Sequence, residues 1–186
     1  MGLTKYKLGS LIEQSLDSNT DLVFGENDVK GMTITKEIIP TKANTEGADL
    51  CKYLIVKPKE FIYNPRTHGK KIGLGFNDTQ KSFIISWNNI TFRIAEVAKN
   101  LLLPDYLYIY FKRDEWDRLA CFSSWGSSTE VFSWSTLCDM DIVLPSITVQ
   151  QNAVDAYNAI NGNLASYTDG LEDLKMTCDI YMDNIK

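Results

Sequence analysis

A chain of 186 residues, 44% hydrophobic and 23% charged, has the make-up of a globular protein and the length for one unit of about 145 residues plus a long helix. No stretch approaches the roughly 18 apolar residues that cross a bilayer, and 1–6 (MGLTKY) has neither an apolar signal core nor the hydroxyl residue a myristoylation site needs at position 6. The net charge of −5 argues against a uniformly basic nucleic-acid binder, and Cys51, Cys121, Cys138 and Cys178 are too scattered for a zinc site or a disulfide framework, so a reducing, cytoplasmic setting is expected.

Short apolar runs broken by turns dominate 1–147, which predicts an α+β fold rich in strands. Strands are expected at 30–40 (KGMTITKEIIP), 51–56 (CKYLIV), 60–63, 71–74, 82–85 and 90–94. A helix is expected at 104–112 (PDYLYIYFK), continuing after a kink through 114–122, because Leu107, Phe111, Trp116 and Leu119 recur at near-helical spacing. A short capped helix begins at Ser133, and 140–144 (MDIVL) reads as a strand.

The last segment, 148–186, reads as one helix of about 38 residues, near 57 Å long at roughly 1.5 Å per residue. Pro145 closes the preceding segment, and Thr148 with Gln151 matches a capping box. Tyr157, Ile160, Leu164, Tyr167, Leu171, Leu174, Cys178, Tyr181 and Ile185 follow at steps of three and four, the repeat of a coiled-coil seam. Asp155, Asp169, Glu172, Asp173, Asp179 and Asp183 all fall on outer positions. Gly162 and Gly170 interrupt the helix, each costing about 1 kcal/mol relative to alanine. A seam of this length is expected to be covered by a second helix, most simply in a homodimer. The competing reading is an amphipathic helix packed on its own domain. The boundary therefore divides the chain into a head at 1–147 and a spacer or dimerisation helix at 148–186.

Charge is unevenly spread. Between positions 30 and 75 nine basic residues face four acids, a local +5, whereas 139–186 carries eight acids against two lysines. Polyanion affinity follows the local patch more than the total, so a basic head is compatible with DNA.

Catalytic chemistry finds little support. His68 is the sole histidine and sits in an expected polar turn at 64–71, and 69–75 (GKKIGLG) lacks P-loop or dinucleotide-fingerprint spacing. Asp139 and Asp141 read as strand-edge acids, and neither a metal nor a cofactor is expected. Two loops carry recognition chemistry instead. The segment 63–71 gathers an aromatic ring with Asn64, Arg66, Thr67, His68, Lys70 and Lys71; arginine suits guanine, asparagine suits adenine, and lysines suit phosphates. The segment 123–129 surrounds Trp125 with hydroxyls, including Ser127, Ser128 and Thr129, suited to backbone phosphates. Lys36 joins these as a phosphate contact from the basic stretch. The competing reading of both loops is ordinary turn chemistry.

Several short motifs stand in a fixed order: Tyr6-Lys7-Leu8-Gly9, Tyr63-Asn64-Pro65-Arg66 with Ile72-Gly73 behind it, Leu102-Leu103-Pro104-Asp105-Tyr106-Leu107, Gly126-Ser127-Ser128, and Ile142-Val143-Leu144-Pro145-Ser146-Ile147 before Gln150-Gln151. With the coiled-coil ending, this order resembles the specificity subunit of type I restriction–modification systems across the whole chain. The resemblance implies a non-catalytic target recognition domain that reads one half of a bipartite DNA sequence, followed by a spacer helix, with methyltransferase and restriction/translocase subunits as partners. A whole subunit has two such domains and two helices packed antiparallel; this sequence has one of each, as a natural half-subunit or an excised piece. Two other classes stay open: an orphan DNA-binding adaptor of the same fold, and a β-rich protein-interaction module anchored by Trp87, Trp116, Trp125 and Trp134. A hydrolase is a more distant third.

Overall fold

A computed structural model describes residues 3–68, 71–124 and 131–183, with only the backbone of 67, 68 and 183. Strand β1 (Thr4–Lys7) pairs antiparallel with β10 (Asp141–Leu144), so the start of the chain is stitched to the segment that precedes the long helix. A four-stranded sheet in the order β2-β9-β6-β7 forms the centre, built from β2 (Ile12–Ser15), β9 (Ile90–Ile94), β6 (Phe61–His68) and β7 (Lys71–Phe76). Two small antiparallel pairs flank it: β3 (Lys30–Met32) with β4 (Ile38–Pro40), and β5 (Leu54–Val56) with β8 (Phe83–Ile85). Helices α1 (Pro104–Phe111), α2 (Asp114–Phe122) and α3 (Trp134–Asp139) precede β10, and α4 (Ile147–Asp183) ends the described chain. The expected α+β fold, strand-rich and then helical, is the observed one.

Alternation on the central sheet directs Phe61, Tyr63, Phe76 and Phe92 toward the helices, where Phe111, Trp116 and Phe132 complete an aromatic core. Phe61 stacks on Phe92 at 4.9 Å and meets Phe111 edge-on at 5.9 Å, arrangements that aromatic quadrupoles favour beyond simple area burial. Helix α2 lies over β7 and covers that edge of the sheet. Gly9 permits a close approach: a Cβ there would stand 2.7 Å from the Cβ of Cys138, so α3 could not pack against the start of the chain.

Three expectations change. The expected strand at 30–40 is a hairpin, turned by Lys36 in the left-handed region (φ 66°) while the Thr33 hydroxyl accepts the Glu37 N–H. The expected polar turn at 64–71 is mostly strand, because β6 runs on to His68 and β7 resumes at Lys71. The capping box at Thr148 and Gln151 does not form. Helix α4 begins at Ile147, the Ser146 carbonyl accepts the N–H of Val149 and Gln150, and Gln151 bonds Asp155 at 2.8 Å instead.

Gln150 anchors α4. Its fully buried amide donates from Nε2 to the carbonyls of Leu101 (2.8 Å) and Pro145 (2.9 Å), and Oε1 accepts the Leu103 N–H at 3.0 Å. Three backbone groups at the start of α1 and α4 are satisfied by one side chain. Next along α4, Val154 is buried, and Lys112 at the end of α1 sits over the rings of Tyr108 (5.2 Å) and Tyr157 (5.7 Å). Burial opposes the charge of Lys112, yet bonding to Tyr157 and the neighbouring acidic groups hold its pKa above the ordinary lysine value. Gln150→Ala should lower stability in urea unfolding by about 2–3 kcal/mol, since it strips donors from buried carbonyls and leaves a void. Amide exchange at Leu103 should accelerate more than exchange in the central sheet.

Candidate nucleic-acid interface

The first polar loop meets the residues that follow the second. Between Tyr63 and Thr67 the register of β6 against β7 shifts, and the bulge frees 64–66 from the ladder. Within it the Asn64 side chain accepts the Arg66 N–H at 3.0 Å, and the Pro65 carbonyl accepts the Phe132 N–H at 2.7 Å. Arg66 forms an antiparallel bridge with Val131. The segment leaving the second loop is therefore laid along the bulge of the first, although the loops are distant in sequence. Asn64 is half-buried and Arg66 exposed. Lys71 is half-exposed, with Nζ 3.9 Å from the Asp114 carboxylate at the start of α2. Thr67 and His68 are placed by their backbones alone, paired with Ile72 and Lys71. Lys70, Trp125, Ser127, Ser128 and Thr129 lie outside the described residues.

Two members of the sequence-derived set belong to the core. Tyr63, the aromatic of the first loop, is 1% exposed, packs edge-on against Phe92 and Phe132, and has its phenol pushed well above the usual tyrosine range by burial. Lys36 is 3% exposed, and its Nζ lies 2.8 and 2.7 Å from the two carboxylate oxygens of buried Asp117. It also sits 5.7 Å over the Trp116 ring, and its carbonyl accepts the Tyr108 hydroxyl at 2.6 Å. Lys36 thus fastens the β3–β4 hairpin to α1 and α2, and its charge is withdrawn from any phosphate.

The basic patch shrinks by the same logic. Lys52 pairs with Asp49, Lys57 with Asp17, and Lys59 with Asp105. The acids at positions 17, 105, 114 and 117 lie outside the 30–75 window, so counting charge along the chain missed them. Among the described residues, Lys30, Lys42 and Arg66 are the cations of that stretch without an ion pair. Of these, Arg66 is the one in the first loop, set against the residues that follow the second. Phe122, 85% exposed at the end of α2 where the chain enters the second loop, is an unforeseen neighbour; its isolated position in sequence gave no signal.

The tryptophans divide. Trp116 is buried, Trp134 is half-buried against Phe92 at 5.6 Å, and Trp87 is exposed. Among the described residues no cluster of three or more histidine, cysteine or acidic side chains could hold a metal, and no helix is long and apolar enough to cross a membrane. Asp141 meets Lys5 and Lys7 at 2.8 and 2.9 Å, and those bonds draw its pKa below the usual carboxylate value.

Beyond Tyr157, α4 touches no other part of the described chain closely enough to be covered. Ile160 is 67% exposed, Leu164 62%, Tyr167 78%, Leu171 52%, Leu174 64% and Tyr181 68%, and Cys178 is exposed as well. Packing of the seam on its own head is therefore excluded for these residues. Ile185 lies outside the described residues.

No protein-family model matches the sequence, and no curated protein matches it. Solved structures do share its fold. The S subunit of the type I restriction–modification system of M. genitalium superposes with a TM-score of 0.55 at 15% identity, over 89% of this chain and 41% of that one. The HsdS subunit of Thermoanaerobacter tengcongensis gives 0.50 at 13% identity, over 89% and 38%. A chain from a structure describing complex assembly and conformational transition of the type I restriction–modification system gives 0.50 at 12% identity, over 89% and 40%. This chain therefore has the specificity-subunit fold, a strand-rich head followed by a long helix, and spans about two fifths of the length of those proteins.

Removing one partner of the buried pair leaves the other charge unsolvated. Asp117→Ala should cost about 3–5 kcal/mol in urea unfolding, whereas the joint replacement Lys36→Met with Asp117→Leu should cost far less.

Proposed function

We propose that this protein is a non-catalytic, sequence-specific DNA-binding subunit of the type I restriction–modification kind, in which residues 1–147 read one half-site and 148–186 form a spacer and dimerisation helix. The observation that carries the reading is the Arg66–Val131 bridge, which sets the exposed arginine of the first polar loop against the segment that follows the second, on a head with the specificity-subunit fold. Arg66 and Asn64, with His68, approach base edges; Lys70 and Lys71 contact phosphates; Thr67, Trp125, Ser127, Ser128 and Thr129 complete the surface. Lys36 has no part in it. The methyltransferase and the restriction/translocase subunits are the partners such a subunit would position, in the cytoplasm.

One head reads one half-site, so two heads are needed for a bipartite target. The exposed seam supplies the means: two copies joined through Tyr157, Ile160, Leu164, Tyr167, Leu171, Leu174, Cys178, Tyr181 and Ile185, with helices antiparallel and heads at opposite ends. Two-fold symmetry then requires an inverted repeat with a spacer of fixed length.

Filter binding on cognate and scrambled duplex at several salt concentrations tests the head. Lys71→Ala should weaken binding to both duplexes and lower the salt slope by about one unit, while Arg66→Ala should cost about 1–3 kcal/mol on the cognate alone. Wild-type protein that shows no salt-dependent retention would point to the protein-interaction module instead. Sedimentation tests the seam. Each buried leucine contributes about 1.5–3 kcal/mol, so Leu171→Glu with Leu174→Glu should halve the mass in solution without unfolding the head.

A further inference from the structure

We infer that Trp87, in the turn between β8 and β9, is a further DNA-contacting residue of the head, laying an uncharged indole against the sugars and base edges beside those that Arg66 reaches. The inference rests on the DNA-binding reading above and adds a contact of a different physical kind. Trp87 is 65% exposed, whereas Trp116 is buried and Trp134 packs on Phe92. A lone exposed apolar side chain needs no explanation by itself. What singles out Trp87 is how it is held and where.

The turn is fixed by its own bonds and by what flanks it. The Asn89 N–H donates to the Ser86 carbonyl at 3.2 Å. The Asn89 side chain donates to the same carbonyl at 2.9 Å and to the Asn88 carboxamide oxygen at 3.1 Å. On one side Ile85 is buried with Val56, Ile62 and Phe83, and on the other Ile90 packs on the main core. Trp87, the second residue of the turn, stays outside both clusters.

Strand register places this turn at the end of the sheet where Arg66 stands. Strands β6 and β9 are antiparallel, and their last pair before the bulge is Tyr63 with Ile90. As β6 leaves that pair toward Arg66, β9 is entered from Trp87. Each of the two residues lies three positions from the pair, at most about 11 Å along the chain. Paired Cα atoms are about 5 Å apart, so Trp87 and Arg66 stand within roughly 27 Å of each other, less than the ~34 Å of one turn of duplex. Residues 82–92 carry no charged side chain in a chain with 24 acids, so the turn sets no carboxylate against phosphate. An exposed indole near an exposed amide and an unpaired guanidinium suits nucleic acid, where sugars and base edges offer apolar surface between phosphates.

Filter binding by the full chain, on duplex that it selects from a random-sequence pool and at several salt concentrations, tests the contact. Because the indole carries no charge, Trp87→Ala should weaken binding about tenfold at every salt concentration and leave the salt slope as in wild type, unlike the loss of a lysine. Trp87→Phe should keep most of the affinity. In acrylamide quenching, the emission that Trp87→Phe removes should become shielded when duplex binds. Val97→Ala is the control: Val97 is also exposed, but it follows the other end of β9, and its variant should bind as wild type does. Trp87→Ala that binds as tightly as wild type, or emission that stays unshielded, overturns the contact while leaving the DNA reading standing, and assigns Trp87 to a protein surface instead. Equal weakening by Val97→Ala overturns it as well. Wild-type protein without salt-dependent retention overturns the DNA reading and the contact together.

Discussion

Helix α4 cannot bury its own apolar stripe, and the rest of the molecule is arranged around that constraint. The head grips only the first turns, through the buried amide of Gln150, the side chain of Val154 and the Lys112 ammonium lodged over two tyrosine rings. The remaining turns project into solvent with a row of half- to three-quarter-exposed hydrophobics. A helix built this way is anchored at its root and carries an exposed apolar row along its length. Because Gln150 bonds backbone on both sides of the junction, the direction of α4 is coupled to α1 and thereby to the sheet beneath it.

The head converts that anchorage into placement. The β1–β10 pair ties the first residues to the strand before α4, and the aromatic core locks α1 and α2 onto the central sheet. Buried Lys36 and Asp117 fasten a hairpin to the same two helices. Such an ion pair contributes little net stability against an apolar replacement but penalises any arrangement that separates its members, so it selects one docking of the hairpin. Within the sheet, the bulge in β6 releases Arg66 from regular pairing and sets it against Val131. Arg66 is left exposed without an acidic partner, whereas Lys52, Lys57 and Lys59 of the same basic stretch are each paired with a carboxylate.

Local pattern made much of the molecule legible in the sequence. Seam spacing alone marked α4, and Pro104, Ser133 and Pro145 marked the starts or stops of three helices within a residue or two. The strands at 54–56, 71–76, 83–85 and 90–94 followed from β-branched and aromatic runs. Short strands β1 and β2 were not foreseen, because TKYK and IEQS carry no apolar run and become strands only by pairing with β10 and β9.

The candidate site was legible in its residues but not in its arrangement. Donor chemistry in 63–71 and 123–129 could be read locally. That Arg66 bridges Val131, that Tyr63 turns inward, and that Lys36 is spent on Asp117 depend on contacts between residues far apart in the chain. Composition and spacing determined most of the element types, the apolar seam and the absence of a long apolar span, since these depend on neighbours within one or two turns; that the described seam lies uncovered by its own head came from the structure. The tertiary structure alone decided which charges cancel, which glutamine anchors the helix and which arginine stays exposed, because burial and ion pairing are set by whichever distant side chain the fold brings within about 4 Å.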